Sequence, residues 1–461
     1  MPEHSRRTFF SFATAAVAAS STRLRGADDK VNVAVVGLGG RGQAHMSEYG
    51  KLPGARIVAV CDVNQAALEK GQAKVLKETG EQPKGYSDMR QVFDDKNVQA
   101  VSMPLPNHWH ALATIWACQA GKDVYIEKPA CHNPFEGQKM IEAARKYNRM
   151  VQIGSQSRSM THKIKAMQLL HDGVIGKVYL AKGLCYKWRP TIGHKPDEPT
   201  PLGLDWDKFL GPAPMRPYNE LRFRYNWHWF WDTGNGDIGN QGIHEMDIAR
   251  WGLGKPGLPS RVVSTGGKMV FDDDQETPNT QTATFNYGDA ELMFEVRGLP
   301  TGPEGAFVAG GARRGRPGAG GGDASAAPPA PTADLGGRGT MIGDLFYGSE
   351  GWMCVDAAGF QVYKGQRSEK VMDERHDALS DTAPHMENFL AAVRSRKHED
   401  LHADVAIGVM SANLVHLANA SYRVKRELQF DEATHKFVND KEADAFLTRK
   451  YRAPYVVPDK V

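Results

Sequence analysis

Cysteine is scarce in this chain: five in 461 residues, Cys61, Cys118, Cys131, Cys185 and Cys354, widely spaced and with no C-x-x-C pair. That excludes a disulfide framework and a zinc site of familiar spacing, and leaves the thiols as small apolar fillers. Long apolar runs are missing too. No stretch of about 18 apolar residues occurs, so nothing suits a ~30 Å hydrocarbon core. A surplus of one charge is also lacking: 57 basic and 54 acidic residues give +3, and Arg6, Arg7, Arg23 and Arg25 against Glu3 account for all of it. The remainder is neutral, which excludes the basic surface that nucleic acid or an anionic membrane requires. Neither an internal repeat nor a heptad pattern is present. What is there is enough chain for two or three domains of ~100–200 residues, with a core to match.

The first residues read as an address. Arg6 and Arg7 precede the apolar run Phe9 to Ala19, which is too short for a membrane span and fits the h-region of a secretory signal. The arginine pair points to twin-arginine export, to the periplasm or beyond. Cleavage is expected between Ala19 and Ala27, so residues 1–27 are set apart.

Residues 30–154 carry the pattern of a doubly wound parallel sheet. The β-branched run Val31 to Val36 ends at Gly37-Leu38-Gly39-Gly40-Arg41-Gly42, a G-x-G-x-x-G. A predicted helix from Gln43 to Lys51 follows, then a strand Arg56 to Cys61 that ends in Asp62. The glycines allow a tight turn and close backbone approach, the helix start offers amide donors to a pyrophosphate, and Asp62 stands where a carboxylate meets the adenosine ribose. An acid there, with no Arg or Lys in Val63-Asn64-Gln65, favours NAD over NADP; Arg41 keeps the choice open. Further buried strands are predicted at 98–103, 123–126 and 151–154.

Ligands in such sheets sit beyond the carboxyl ends of the strands. One strand exits into Pro104-Leu105-Pro106-Asn107-His108-Trp109-His110, and the next into Glu127-Lys128-Pro129. Pro104, Asn107, His108, His110 and Glu127 are therefore candidate cofactor neighbours. His108 and His110 form an H-x-H pair, but no third ligand is spaced nearby, so a metal is not assigned. With the glycine loop and the later Gly242-Ile243-His244-Glu245-Met246-Asp247 block, these segments resemble the Gfo/Idh/MocA oxidoreductases, the family of glucose-fructose oxidoreductase and inositol dehydrogenase. The resemblance covers most of the chain after the signal. It implies that Lys128 sits beside the nicotinamide and the reacting hydroxyl, and that His244 acts there as acid or base. It also implies a C-terminal α+β domain with a large, mostly antiparallel open sheet, whose open face joins copies into a homo-oligomer.

That second domain is expected at 155–440, with 441–461 as a tail. A helix from Asn240 to Trp251 would put Asn240, His244, Asp247, Ile248 and Trp251 on one face, with Asp247 one turn behind His244. The family commonly has an aspartate at the position of Asn240. Asparagine cannot accept a proton, so proton transfer falls to Lys128, His244 or a neighbour such as Asp237 or His228. The run Asn226-Trp227-His228-Trp229-Phe230-Trp231 reads either as core or as rings stacked on a sugar's C–H face with polar groups on its hydroxyls. Tyr186, Trp188 and Arg189, after a predicted strand at 178–183, are candidate additions to that pocket, or a generic strand end.

Helices are also predicted at 161–171, 381–394 and 403–423, the second of these packing back on the nucleotide domain. Strands are predicted near 261–271, 281–297 and 352–364. Residues 300–342 are Gly-, Pro- and Ala-rich and cannot bury enough apolar surface to offset ordering entropy, so they read as a flexible insertion, with a lid as one possible use. The function read from all this is an exported NAD-dependent oxidoreductase for a secondary hydroxyl of a sugar, glycoside or cyclitol. Free NAD is scarce outside the cytoplasm, so the cofactor must stay bound and be re-oxidised in place. The alternatives are an NAD-dependent glycosidase working by oxidation, elimination and reduction, and a non-catalytic sugar-binding module.

Overall fold

The computed structural model describes residues 30–300, 341–375 and 382–461. The signal and nearly all of the expected insertion lie outside these.

The first body is built on six parallel strands: β1 (Val31–Val36), β2 (Ala55–Cys61), β3 (Lys84–Tyr86), β4 (Ala100–Met103), β5 (Asp123–Glu127) and β6 (Val151–Gly154). Their order is β3-β2-β1-β4-β5-β6. The strand order reverses between β1 and β4, so a crevice opens beyond the carboxyl ends of these two strands. β1 is buried on both faces, as a β-branched run between helical layers must be. The helix Gln65–Thr79 starts on Asn64, whose side chain accepts from the amides of Ala66 and Ala67, and stops at Gly80 in the left-handed region. β3, three residues long, is too short to show a periodicity and was not foreseen.

The second body is a ten-stranded sheet in the order β14-β13-β12-β11-β7-β10-β9-β8-β15-β16. Its strands are β7 (Val178–Tyr186), β8 (Arg261–Gly267), β9 (Thr280–Asn286), β10 (Glu291–Arg297), β11 (Met341–Gly348), β12 (Gly351–Asp356), β13 (Gly359–Lys364), β14 (Glu369–Arg375), β15 (Leu428–Asp431) and β16 (Lys436–Phe437). All neighbours run antiparallel except β7 and β10. The runs expected as single strands at 281–297 and 352–364 are hairpins. β11 starts inside the stretch expected to be flexible, because Met341 and Ile342 pair with Tyr186 and Cys185 of β7. The helix expected from Asn240 is two pieces, Gly236–Asn240 and Gly242–Leu253, separated at Gln241.

Two later helices join the bodies. In Val405–Val424 the first half (Val405, Val409, Ala412) belongs to the core of the parallel sheet, and the second (Leu414, Val415, Leu417, Ala418) to the core of the large sheet. Thr382–Ser395 packs Met386, Phe389 and Leu390 against Val31, Val33 and Tyr125 of the first body, as the sequence suggested. The tail folds back too, burying Tyr455 and Val457 in the first body's core. Among the described residues no helix is long and apolar enough to cross a membrane.

Phe389 is fully buried in this junction. Phe389→Ala should cost about 3–5 kcal/mol of unfolding free energy by chemical denaturation, whereas Leu202→Ala, at an exposed site, should stay within about 0.5 kcal/mol.

Candidate active site

The glycine loop is shaped by contacts that only glycine tolerates. Gly37 has φ +92°, and a Cβ on Gly42 would lie 2.0 Å from the carbonyl oxygen of Gly37. A Cβ on Gly39 or Gly40 would meet nothing within 4 Å, so this backbone faces open space. The helix Gly40–Lys51 begins there with no side-chain cap, and its first backbone bond is from Gln43 to Gly39. The amides of Gly40, Arg41 and Gly42 therefore point outward with the positive end of the helix dipole, which fits a pyrophosphate.

Asp62 ends β2 as expected, but its carboxylate also has a structural job. Oδ2 accepts the Leu38 amide at 2.7 Å and Oδ1 the Asn64 amide at 2.8 Å, which pins the glycine loop to β2. Burial raises its pKa against these bonds. A carboxylate has about four acceptor sites, so lone pairs remain for ribose hydroxyls.

Arg41 does not stand alone as a phosphate partner, because its Nε donates to Glu127 Oε1 at 2.8 Å. That oxygen also takes Gln156 Nε2 at 2.8 Å and faces His45 Nε2 at 3.0 Å. Burial opposes the charge on Glu127, but the Arg41 cation and the His45 contact outweigh it and hold the carboxyl well below its usual range. With Glu127 satisfied, the adjacent Lys128 turns its side chain elsewhere. Its Nζ donates to the backbone carbonyl of Asn240 at 2.7 Å and lies 3.4 Å from Asn240 Oδ1. Burial lowers its pKa to about 8, with the Arg41 and Arg189 cations adding to the shift and Glu127 opposing it.

Asn240 ties this lysine to a network in the second body. Its Nδ2 donates to the Tyr225 hydroxyl at 2.8 Å and to Asp237 Oδ1 at 3.2 Å. Arg189 holds Asp237 with two bonds, 3.0 and 2.8 Å, and reaches the Tyr225 hydroxyl at 3.0 Å. Asp237 is thus bound bidentately by a guanidinium, which corrects its reading as an alternative proton acceptor. His244 is half-buried nearby. Burial and then the Lys128 charge push its pKa down to about 3, so its imidazole is neutral at physiological pH. His228 is held neutral for the same two reasons, burial first and Lys128 second, and it stacks on Trp227 at 3.5 Å.

Other expected site residues are placed differently. His108 has its ring nitrogens 3.3 and 3.0 Å from the carbonyls of Thr233 and Phe209; those of His110 lie 2.7 and 2.8 Å from Pro129 and Leu105. A neutral imidazole carries one N–H, so each ring donates to one of its two carbonyls, and both rings are buried against backbone. Asn107 donates to Asn235, and Pro104 packs its carbonyl under Gly37. Asp247 does not orient His244, because its carboxylate grips Arg158 at 2.7 and 2.9 Å. The pleat explains the exit of β7: Lys187 and Arg189 reach Gln241 and Asp237, while Tyr186 bonds Glu295 on the other face and Trp188 is exposed. Trp231 packs against Tyr422 and Arg423 instead of joining a pocket. Asn226 and Trp227 remain half-buried.

Sequence reasoning passed over His45, Gln156 and Tyr225. The position of Gln156 just beyond β6 was a usable signal; the other two join through contacts across the fold. It also passed over Glu245, beside His244, which burial pushes up to about 8, and Asp344, which burial pushes well above its usual range.

A parallel sheet with a glycine-loop crevice, set against a large antiparallel sheet that delivers polar side chains to the same crevice, defines a two-domain nucleotide-dependent oxidoreductase. Residues 31–155 match an oxidoreductase family's NAD-binding Rossmann fold, and 157–311 with 349–457 match its C-terminal alpha/beta domain. The chain belongs to the Gfo/Idh/MocA oxidoreductase family, and its first domain is NAD-binding. Levoglucosan dehydrogenase of Pseudarthrobacter phenanthrenivorans is 25% identical over 240 residues, 51% of this chain and 54% of that protein. A glycosyl hydrolase family 109 protein of a Shewanella species is 23% identical over 154 residues, 32% of this chain and 34% of that one. These alignments thus span about half or less of those relatives' lengths. The WlbA dehydrogenase of Bordetella pertussis, solved with NADH and UDP-GlcNAcA, shares the fold at TM-score 0.60 and 18% identity, over 87% of this chain and 99% of that one.

Gly42→Ala would force its methyl group onto Gly37 and unseat the loop. It should weaken NAD binding at least tenfold, or about 1.4 kcal/mol, in a fluorescence titration of the folded variant.

Proposed function

We propose that this protein is an exported, NAD-dependent oxidoreductase that acts on a secondary hydroxyl of a sugar, glycoside or cyclitol and keeps its cofactor bound between turnovers. The observation that carries the reading is the Lys128 amine, held at the Asn240 carbonyl at the carboxyl edge of a dinucleotide-binding sheet and close enough for its charge to act on His244. When bound, NAD supplies the hydride acceptor. Every other role falls to side chains. The uncapped amides of Gly40 to Gly42 hold the pyrophosphate and Asp62 the ribose, which favours NAD over NADP. Arg41 is engaged with Glu127 through its Nε, which weakens its case as a partner for a 2′-phosphate.

Proton handling is assigned to Lys128. A general base works best with a pKa near the working pH, and about 8 suits this better than the value near 3 of His244. His244 then serves as a neutral hydrogen-bonding partner that orients the hydroxyl, while Asn240 fixes the lysine. Arg189 and Tyr225, with Trp227 and His228 behind them, form the polar and aromatic wall against which a ring would lie. The reading includes twin-arginine export and association of copies through the open sheet face, where Trp352 stacks on Tyr363 at 3.9 Å among half-buried aromatic neighbours.

A second reading is an NAD-dependent glycosidase. It is favoured by Asn240, an amide where the family commonly has an acid, and by the likeness to a glycosyl hydrolase family 109 protein.

One assay separates them. Purified protein is mixed with chromogenic glycosides and with free sugars and cyclitols, with no added acceptor. Persistent absorbance of reduced nicotinamide supports the dehydrogenase, and aglycone release without it supports the glycosidase. Neither signal, in protein that binds NAD, contradicts both. For the dehydrogenase, the rate of alcohol oxidation should rise with pH through about 8, because only the deprotonated Lys128 accepts a proton. Lys128→Met should abolish that inflection and lower kcat by about 10²–10⁴.

A further inference from the structure

The stretch Gly203 to Leu210 belongs by chain order to the second body, between β7 and β8, yet it docks on the first. The Gln65 amide donates to the Gly203 carbonyl at 2.8 Å, and the Asp205 amide to the Val63 carbonyl at 3.0 Å. Asn64 and Leu204 form an antiparallel bridge between these two bonds. Residues 63–65 directly follow Asp62, the carboxylate that marks the ribose of the adenosine half. A segment of the second body is therefore bridged to the residues that directly follow the ribose-marking carboxylate.

The segment is braced from both sides. Asp205 caps the short helix Trp206–Leu210, and Trp206 stacks on Phe209 with centroids 4.9 Å apart and planes at 10°. Leu204, Trp206, Phe209, Leu210 and Tyr218 form a buried cluster, against which the first body contributes Val63. Further along, Trp109 Nε1 donates to the Lys208 carbonyl at 3.0 Å, and Arg452 to Asp207 at 2.6 Å. Gly211 passes so close to Trp109 that a Cβ would lie 2.1 Å from its ring. By contrast residues 187–201, which lead into the segment, have no regular secondary structure.

We propose that Gly203–Leu210 is a clasp on the adenosine half of NAD, so that the cofactor exchanges only when the bridge to residues 63–65 opens. This rests on the reading of a cofactor kept between turnovers and supplies its physical basis. The clasp makes no chemical contribution; it sets the rate at which the dinucleotide leaves.

The test follows exchange of bound NAD for isotope-labelled NAD by mass spectrometry, in wild-type protein and in Leu204→Gly and Trp206→Ala, all checked for wild-type circular dichroism. Val63→Ala weakens the same contact from the other body, in case the first two do not fold. Slow exchange in the wild type, accelerated at least tenfold in the folded variants, supports the clasp. Slow exchange that is unchanged in the variants overturns the clasp but leaves the bound-cofactor reading intact. Wild-type protein that exchanges NAD within the mixing time, or binds none, overturns both.

Discussion

A buried carboxylate must be compensated, and the candidate site is organised around one that is. Removing Glu127 from water without partners would cost several kcal/mol. The chain answers with Arg41 and His45 from the helix Gly40–Lys51 and with Gln156 from beyond β6, both segments brought to the end of β5. This single anion thus ties together three segments that border the crevice. Its charge still acts on Lys128 and opposes the fall in that amine's pKa, but the amine makes its hydrogen bond to Asn240. The half-buried lysine, which also feels the Arg41 and Arg189 charges, holds its proton less tightly than a free amine, and its amine extends to Asn240 in the other body.

The second body holds its side of the crevice by a similar balance. Arg189 and Asp237 neutralise each other, and the Tyr225 hydroxyl and Asn240 amide complete a network whose lone pairs and protons are nearly all used. Its buried members, Asp237 and Asn240, are paired, as buried polar groups must be, while Tyr225 reaches the surface. Position is thereby imposed on Lys128 by groups that do no chemistry themselves. The helix Val405–Val424, shared between both cores, keeps the two halves in register.

Much of this was legible in the sequence. The glycine loop, Asp62, the Glu127-Lys128-Pro129 exit and the His244 block stand in contiguous motifs, and motifs with local spacing declare themselves. Most of the parallel sheet was legible because β1 and β2 are short apolar runs rich in β-branched residues that end at motif residues; β3, Lys84–Tyr86, carries no such pattern. Partnerships between distant residues were not: nothing in the chain says that Arg41 answers Glu127 or that Asp247 answers Arg158. A helix break at Gln241 was hidden because glycines and amides around it fit either one helix or two. The faces of Tyr186 and Trp188 were missed because strand alternation fixes which residues share a face but not which face is the site. The two histidines of the H-x-H pair misled for a different reason, since imidazole serves as well for bracing carbonyls as for meeting a cofactor.

Everything turns on Lys128 being a half-buried amine poised to exchange a proton near neutral pH. NMR titration of the protein with ¹⁵N-labelled lysine, assigned through Lys128→Arg, reads it directly. One side-chain amine should titrate at about 8 and vanish in the variant. A Lys128 signal that titrates with the solvent-exposed lysines, near the ordinary value of about 10.4, would contradict it.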